Sequence, residues 1–151
     1  MIRINKEITV NAPLEEVFSY VATPGNWPEF WPSLISLEDV KALPNGGYRA
    51  RYKFKMAGRL FNGTGECAEI IPNQWIVIHT DGGIKSTLTW TFRSREDKTR
   101  VTLTIEYKIP VPLLGFLAQP IITRMADQET GLLMNNLEAR FMFWNQMHKS
   151  E

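Results

Sequence analysis

Three polar residues interrupt the apolar side of a C-terminal segment that has the periodicity of a helix. Glu129, Asn136 and Arg140 fall inside the apolar stripe when the segment is placed on a wheel of about 100° per residue. A carboxylate, an amide or a guanidinium that leaves water needs a hydrogen-bonding partner. These side chains therefore either find partners on the rest of the protein or border a space that another molecule fills.

Arg140 has the chemistry of an anion-binding residue. Its guanidinium is suited to a ligand carboxylate or phenolate, and Asn136 lies one turn away on the same helical face. Arg140 can instead extend to solvent or pair with a strand carboxylate such as Glu66 or Glu106. The sequence leaves both interpretations open for Arg140, and equally for Asn136 and Glu129.

Histidine and cysteine are too few for a recognisable metal site. His79 and His148 have no chelating spacing and Cys67 is the only cysteine, so we expect no metal and no cofactor. His79 and Asp81 share one face of an extended segment and form a conceivable catalytic dyad, although Asp81 fits a turn better. Cys67 is more typical of a small core residue than of a nucleophile.

The helix that carries the three polar residues is expected to run from Pro120 to about Met147. Proline is tolerated in a first turn, and only Gly131 interrupts the segment afterwards. The apolar face of this helix is formed by Ile122, Met125, Ala126, Leu133, Leu137, Trp144 and Met147. One long amphipathic helix of this kind must cover an apolar surface elsewhere in the chain.

Alternating apolar and polar residues predict that this surface is a β-sheet. We expect strands at 2–10, 34–40, 48–56, 60–71, 75–79, 87–92 and 100–109. Gly63 and Gly65 should introduce a bulge or bend. A short helix opened by Pro13 and an aromatic helical turn at 27–32 follow the first strand. The predicted fold class is α+β: a curved, mostly antiparallel sheet of six or seven strands grips the long C-terminal helix, with two short helices after the first strand.

Length and composition indicate one ordinary globular domain, residues 1–151. A net charge of +1 gives no reason to expect nucleic acid as a partner. The charged N-terminus is unlike an export signal and no apolar run approaches ~20 residues, so we expect a cytoplasmic protein without stable membrane insertion. The apolar segment 111–118 is either a packed connector, a lid, or a foot that touches membrane. The sequence leaves the oligomeric state open.

Short sequence motifs carry a resemblance to a known superfamily. They are ITVNAPLEEVF at 8–18, WPEFWP at 27–32, EIIP at 69–72, LTWTF at 88–92 and TRVT at 99–102. With the order of elements, they make nearly the whole chain similar to the START-like helix-grip (SRPBCC) superfamily. That superfamily includes polyketide cyclase/dehydrase-like and pollen-allergen-like proteins.

The resemblance implies a cavity between the long helix and the concave face of the sheet, open to small apolar molecules. Thr23 departs from the superfamily, in which Asp is common at this position, so we expect the entry to the second helix to be held differently here. Three aromatic residues with polar tips, Tyr52, Trp90 and Tyr107, lie on the apolar faces of strands and serve either the core or a ligand wall. The ligand-binding residues expected from these arguments are Tyr52, Phe54, Trp90, Phe92, Tyr107, Glu129, Leu133, Asn136 and Arg140.

The first functional hypothesis is therefore the binding or transport of a hydrophobic small molecule, such as a lipid, an isoprenoid or quinone, or an aromatic polyketide. The second is a cyclase or aromatase that uses the same cavity, with Arg140 stabilising an enolate and Tyr107 or His79 moving protons. No acid–base pair stands out, so the enzyme ranks second. A third hypothesis is a protein-interaction module that uses the outer face, as some members of the superfamily do.

Overall fold

The computed structural model describes residues 1–109, 115 and 117–148. Seven strands form a single antiparallel sheet with the order β1-β7-β6-β5-β4-β3-β2. The strands are β1 (Ile2–Val10), β2 (Leu34–Ala42), β3 (Tyr48–Met56), β4 (Arg59–Ile71), β5 (Trp75–Asp81), β6 (Ser86–Arg95) and β7 (Lys98–Tyr107). The helices are α1 (Leu14–Ala22), α2 (Trp27–Phe30), α3 (Gln119–Arg140) and α4 (Trp144–Met147), with a 3₁₀ turn at Pro24–Asn26. The predicted α+β class, a curved antiparallel sheet with a long C-terminal helix, is confirmed.

The two faces of the sheet follow from the alternation of residue types. In β3, Ala50, Tyr52, Phe54 and Met56 are buried, while the arginines and lysines between them are exposed. Such a strand has one face on the core and one face in water. Every neighbouring pair from β2 to β7 is antiparallel, and β1 closes the order by pairing with β7.

Lys6 is the one residue that breaks the apolar pattern of β1, and the structure gives it a partner. Its Nζ lies 3.1 Å from Asp127 on α3. The ion pair therefore ties the long helix to the edge strand, next to buried Ile4 and half-buried Ile8. Both charges are partly exposed, so the pair fixes position more than it adds stability.

The irregularity of β4 lies further along the strand than the glycines suggested. Its register against β5 shifts between Cys67 and Glu69, and pairing with β3 is regular through Gly63. Gly63 serves a close approach instead. A Cβ at this position would collide with the Tyr52 ring and the Asp81 carbonyl oxygen.

The C-terminal helix is shorter than the sequence indicated. α3 ends at Arg140, the chain turns over 141–143, and α4 follows. The Met142 carbonyl accepts a hydrogen bond from Asn11 Nδ2 at 2.8 Å, and Asn145 Nδ2 donates to the Asn11 side chain and the Asp97 carbonyl. These tertiary bonds replace the helical ladder, and Met147, expected on the buried face, is exposed.

α1, α2 and α3 cover the same face of the sheet in different places. Phe18 of α1 packs edge-on against Phe92, with ring centroids 5.1 Å apart, and Phe30 of α2 packs edge-on against Trp90 at 6.2 Å. α3 lies along β1 and α2. Most of the segment 111–118 lies outside the described residues. Among the described helices, none is both long and apolar enough to cross a lipid bilayer.

Candidate ligand-binding site

A cavity of about 140 Å³ lies between the sheet, α2 and α3. This is roughly ten times the space that one water molecule needs. Its wall is mostly apolar and draws on β1 to β7 as well as the helices. Typical wall residues are Ile76, Ile78, Leu88, Ile105, Ala126 and Leu133. Mostly apolar walls with few polar groups are the usual form of a small-molecule site.

Five of the residues predicted from the sequence line this cavity. Tyr52, Phe54 and Tyr107 contribute from strands, and Glu129 and Leu133 contribute from successive turns of α3. Strand alternation places the aromatic rings on the inner face, and helical periodicity places Glu129 and Leu133 above them. The prediction and the structure therefore agree on which faces meet here.

Trp90 and Phe92 lie outside the lining, although alternation correctly put them on the inner face. Phe92 packs beneath α1, and Trp90 is fully buried against Trp27 and Phe30. The two short helices cover this part of the sheet completely. These rings therefore belong to the packed core and not to the cavity wall.

Asn136 reaches the main chain of α2 and not the cavity. Its Nδ2 donates to the Phe30 carbonyl oxygen at 3.1 Å. That carbonyl is near the end of α2, where helical acceptors lack partners within the helix. Asn136 therefore anchors α2 to α3.

Arg140 is likewise held by the short helices, outside the cavity. Its guanidinium pairs with Glu29 of α2, and its Nε donates to the Tyr20 hydroxyl at 3.0 Å. Tyr20 in turn donates to Glu29 at 2.6 Å. The hydrogen bonds from Tyr20 and then from Arg140 lower the pKa of Glu29. Arg140 thus pairs with a helix carboxylate and not with Glu66 or Glu106.

Glu129 is different, because its carboxyl lines the cavity. Oε1 is buried and makes no hydrogen bond with the described residues. Burial raises the pKa of this carboxyl, and the nearby side chains of Ser33 and Trp31 lower it in part. The group therefore faces Ser33 and Trp31, with one oxygen still able to accept a hydrogen bond.

Two tryptophans of the cavity wall use their indole N–H groups differently. Trp27 Nε1 donates to the Val21 carbonyl oxygen at 2.7 Å. Trp31 is only 7% exposed, and its Nε1 is buried without a hydrogen-bond partner among the described residues. The two rings lie with centroids 6.0 Å apart. The Trp31 indole therefore offers a donor at the wall of the cavity, beside the Glu129 carboxyl.

Tyr107 provides a further polar group in the wall. It is 3% exposed, its hydroxyl has no partner among the described residues, and burial raises its pKa to about 12. Its neighbour on β6, Ser86, bonds Thr80 at 2.5 Å instead. The Tyr107 hydroxyl therefore stays protonated and available as a donor.

The hydroxyl of Tyr52, by contrast, already has hydrogen-bond partners. Its hydroxyl accepts a hydrogen bond from the Ile84 amide at 2.9 Å and donates to the Ile84 carbonyl at 3.2 Å. Burial is the main reason that its pKa is raised. Tyr52 shapes the wall with its ring and fixes the turn after β5 with its hydroxyl.

The remaining reactive side chains make no catalytic arrangement with the cavity. His79 is exposed, and Asp81 accepts from the Gly82 amide within the turn. Cys67 lines the cavity as a buried thiol whose pKa is raised by burial. No group of His, Cys, Asp and Glu in the described part of the chain is suited to a metal ion.

The sequence interpretation missed Trp27 and Trp31 as site residues. The aromatic residues of 27–32 did predict a short helical turn, but nothing in the sequence showed that this turn borders a cavity. Trp31 also packs edge-on against Phe54, with ring centroids 5.8 Å apart. That contact brings α2 onto the wall that the sequence assigned to the strands alone.

Solved structures of known proteins share this fold over nearly their whole length. TTHA0849 from Thermus thermophilus has a TM-score of 0.80 and 22% identity, with 93% of this chain and 97% of that one covered. A START superfamily protein from Mycobacterium smegmatis has a TM-score of 0.79 and 16% identity, covering 94% and 98%. The ZhuI aromatase/cyclase from Streptomyces sp. R1128 has a TM-score of 0.75 and 15% identity, covering 93% of both chains. At these identities the likeness concerns the fold alone.

Comparison of the sequence with protein families is more specific. No protein of curated function matches the sequence significantly. Residues 1–141 match the family described as polyketide cyclase / dehydrase and lipid transport. The match spans β1 through the end of α3, and so includes the cavity and the helices α1, α2 and α3. The chain therefore belongs to the polyketide cyclase / dehydrase and lipid transport family.

Proposed function

We propose that the protein binds or carries a hydrophobic small molecule, such as a lipid, an isoprenoid or an aromatic polyketide, in the cavity beneath α3. The observation that supports this most strongly is the apolar cavity itself, about 140 Å³ in volume and closed on one side by Ala126, Thr130 and Leu133. Empty apolar space costs stability, since its lining atoms lose contacts. A ligand restores those contacts.

The test is to fill the cavity from α3. Leu133 is fully buried and lines the cavity, whereas its neighbour Leu132 is 49% exposed. We expect Leu133→Trp to abolish the binding of N-phenylnaphthylamine, an uncharged apolar probe whose fluorescence rises in apolar sites. Leu132→Trp puts the same ring outside and is the matched control. Full probe affinity in a folded Leu133→Trp protein would contradict the proposal.

A second, smaller cavity-filling substitution keeps the proposal testable if Leu133→Trp does not fold. Ala126 also lines the cavity, and Ala126→Leu adds only three carbon atoms there. We expect it to weaken probe binding while the circular dichroism spectrum stays that of the wild type. Native mass spectrometry of the protein from its own host would then show whether a lipid, a quinone or an aromatic compound is carried.

A second candidate function is that of a cyclase-type enzyme, and Glu129 favours it. A carboxyl whose pKa is raised by burial and which lines an apolar cavity has the properties of a general acid. Arg140 and His79, which the enzyme hypothesis also used, do not line the cavity. Under this hypothesis Glu129→Gln would lower turnover of a polyketide substrate at least about tenfold and leave N-phenylnaphthylamine binding intact.

A further inference from the structure

The wall of the cavity presents a donor and an acceptor, close to each other, that have no hydrogen-bond partner of normal geometry among the described residues. Trp31 Nε1 can only donate a hydrogen bond, and Glu129 Oε1 can accept one in either protonation state. Both atoms are buried, and both residues line the cavity. Buried polar atoms without partners are rare in proteins, so each calls for an explanation.

The pair is complementary to a hydroxyl group. An alcohol or phenol oxygen accepts from the Trp31 indole and donates its own proton to the Glu129 carboxylate or carboxylic oxygen. A carboxylate ligand fits poorly, since it would bring a second negative charge toward Glu129. Among the described residues that line the cavity, Glu129 is the only charged one, so no Lys, Arg or His there compensates such a ligand.

We propose that the ligand is an uncharged apolar molecule bearing a hydroxyl group, held by that hydroxyl between Trp31 Nε1 and Glu129 Oε1. This inference rests on the proposed function and gives it a substrate class. It also assigns different roles to the two tryptophans: Trp31 binds the ligand hydroxyl, whereas the N–H of Trp27 already donates to Val21. The rest of the ligand lies against the apolar wall.

Three probes of nearly the same shape test the inference. Naphthalenemethanol, ethylnaphthalene and naphthoate, all substituted at the same β-carbon, offer a hydroxyl, a methyl and a carboxylate at one place. Their dissociation constants are measured by isothermal titration calorimetry at about pH 7, where naphthoate is ionised. Comparing each variant across probes cancels the differences in hydrophobicity between them.

Trp31→Phe is the decisive variant. We expect it to raise the dissociation constant of naphthalenemethanol about five- to tenfold and that of ethylnaphthalene less than about twofold. Trp27→Phe is the matched control, and it should affect both probes by one common factor. An equal effect of Trp31→Phe on both probes would overturn the inference.

Glu129 supplies a second variant that keeps the fold. Glu129→Met removes the acceptor and a buried polar group, so it should weaken naphthalenemethanol selectively, while Glu129→Gln keeps an acceptor and should preserve the affinity. Wild-type protein should bind naphthoate at least about tenfold more weakly than naphthalenemethanol.

The outcomes that contradict the inference differ from the outcome that contradicts the proposed function. Equal or tighter binding of naphthoate, or selective loss of naphthalenemethanol in Tyr107→Phe and not in Trp31→Phe, would overturn the inference and leave the proposed function standing. Failure of all three probes, together with N-phenylnaphthylamine, to bind the wild-type protein would contradict the proposed function itself.

Discussion

Three polar side chains interrupt the apolar stripe of α3, and the two near its C-terminal end have hydrogen-bond partners on the short helices, whereas the third borders the cavity. Asn136 bonds the Phe30 carbonyl, and Arg140 pairs with Glu29 and Tyr20. Glu129, two turns earlier, keeps an oxygen without a partner at the cavity wall. A polar residue in an apolar stripe is therefore an anchor where the helix meets other helices, and a site residue where it covers open space.

The largest expected effect on stability comes from removing a buried leucine of α3, either next to the cavity or near the C-terminal end of the helix. Leu137 is fully buried near that end, whereas Leu133 is fully buried but borders the cavity. We expect Leu137→Ala to lower the free energy of unfolding by about 3 kcal/mol, and Leu133→Ala by about 2 kcal/mol because it loses fewer contacts. Urea denaturation measures both, and a larger loss for Leu133→Ala would contradict this contrast.

Removing the Asn136 anchor should have the next largest effect. Asn136→Ala leaves the Phe30 carbonyl without its partner, so we expect a loss of about 1–2 kcal/mol in the free energy of unfolding. Exposed Asn135 provides a control, and Asn135→Ala should change stability by less than about 0.5 kcal/mol. Equal effects of the two substitutions would remove the basis for calling Asn136 an anchor.

The sequence identified the polar residues that interrupt the apolar stripe of α3, but it did not show which of them would be anchors and which would border the cavity. Alternation identified every strand and the inward rings, and the helical wheel identified Glu129, Asn136 and Arg140 as anomalies. The wheel does not show what lies opposite each turn. Partners such as Glu29 and Tyr20 are more than 110 residues away in sequence, and tertiary packing brings them together.

The helix end escaped prediction for a related reason. The segment Phe141–Phe143 contains no proline or glycine, so the local sequence favours a continuing helix. The turn there depends on the bond between Asn11 and the Met142 carbonyl, a contact between opposite ends of the chain. Trp90 and Phe92 show the same limit, since alternation gives the face of a sheet and not which helix covers it.

Protonation of Glu129 should have a smaller effect on the free energy of unfolding, and this effect depends on pH. Burial raises its pKa above the ordinary value of 4.5, so the folded protein binds this proton more tightly than the unfolded chain does. The resulting stability is fully present below that value and is lost as the pH rises through the folded-state pKa. Wild type should therefore lose stability relative to Glu129→Gln as the pH rises above 4.5. Urea denaturation of both proteins over this rise in pH would show no change in the difference if the carboxyl were solvated.

Substitution of Arg140 should have the smallest effect on stability and on probe binding. Its side chain and that of Glu29 are 44% and 43% exposed, and exposed ion pairs add little stability. We expect Arg140→Met to shift Tm by less than about 2 °C and the dissociation constant of N-phenylnaphthylamine by less than about twofold. Loss of probe binding in a folded Arg140→Met protein would restore Arg140 as a ligand-binding residue.

The most direct test of the account is a crystal structure of the protein in complex with naphthalenemethanol. We expect the ring in the cavity beneath Ala126 and Leu133, with the hydroxyl oxygen about 3 Å from both Trp31 Nε1 and a Glu129 carboxyl oxygen. A probe bound on the outer face of the sheet would contradict the cavity as the binding site. A probe in the cavity with its hydroxyl directed away from Trp31 and Glu129 would contradict the role of that pair.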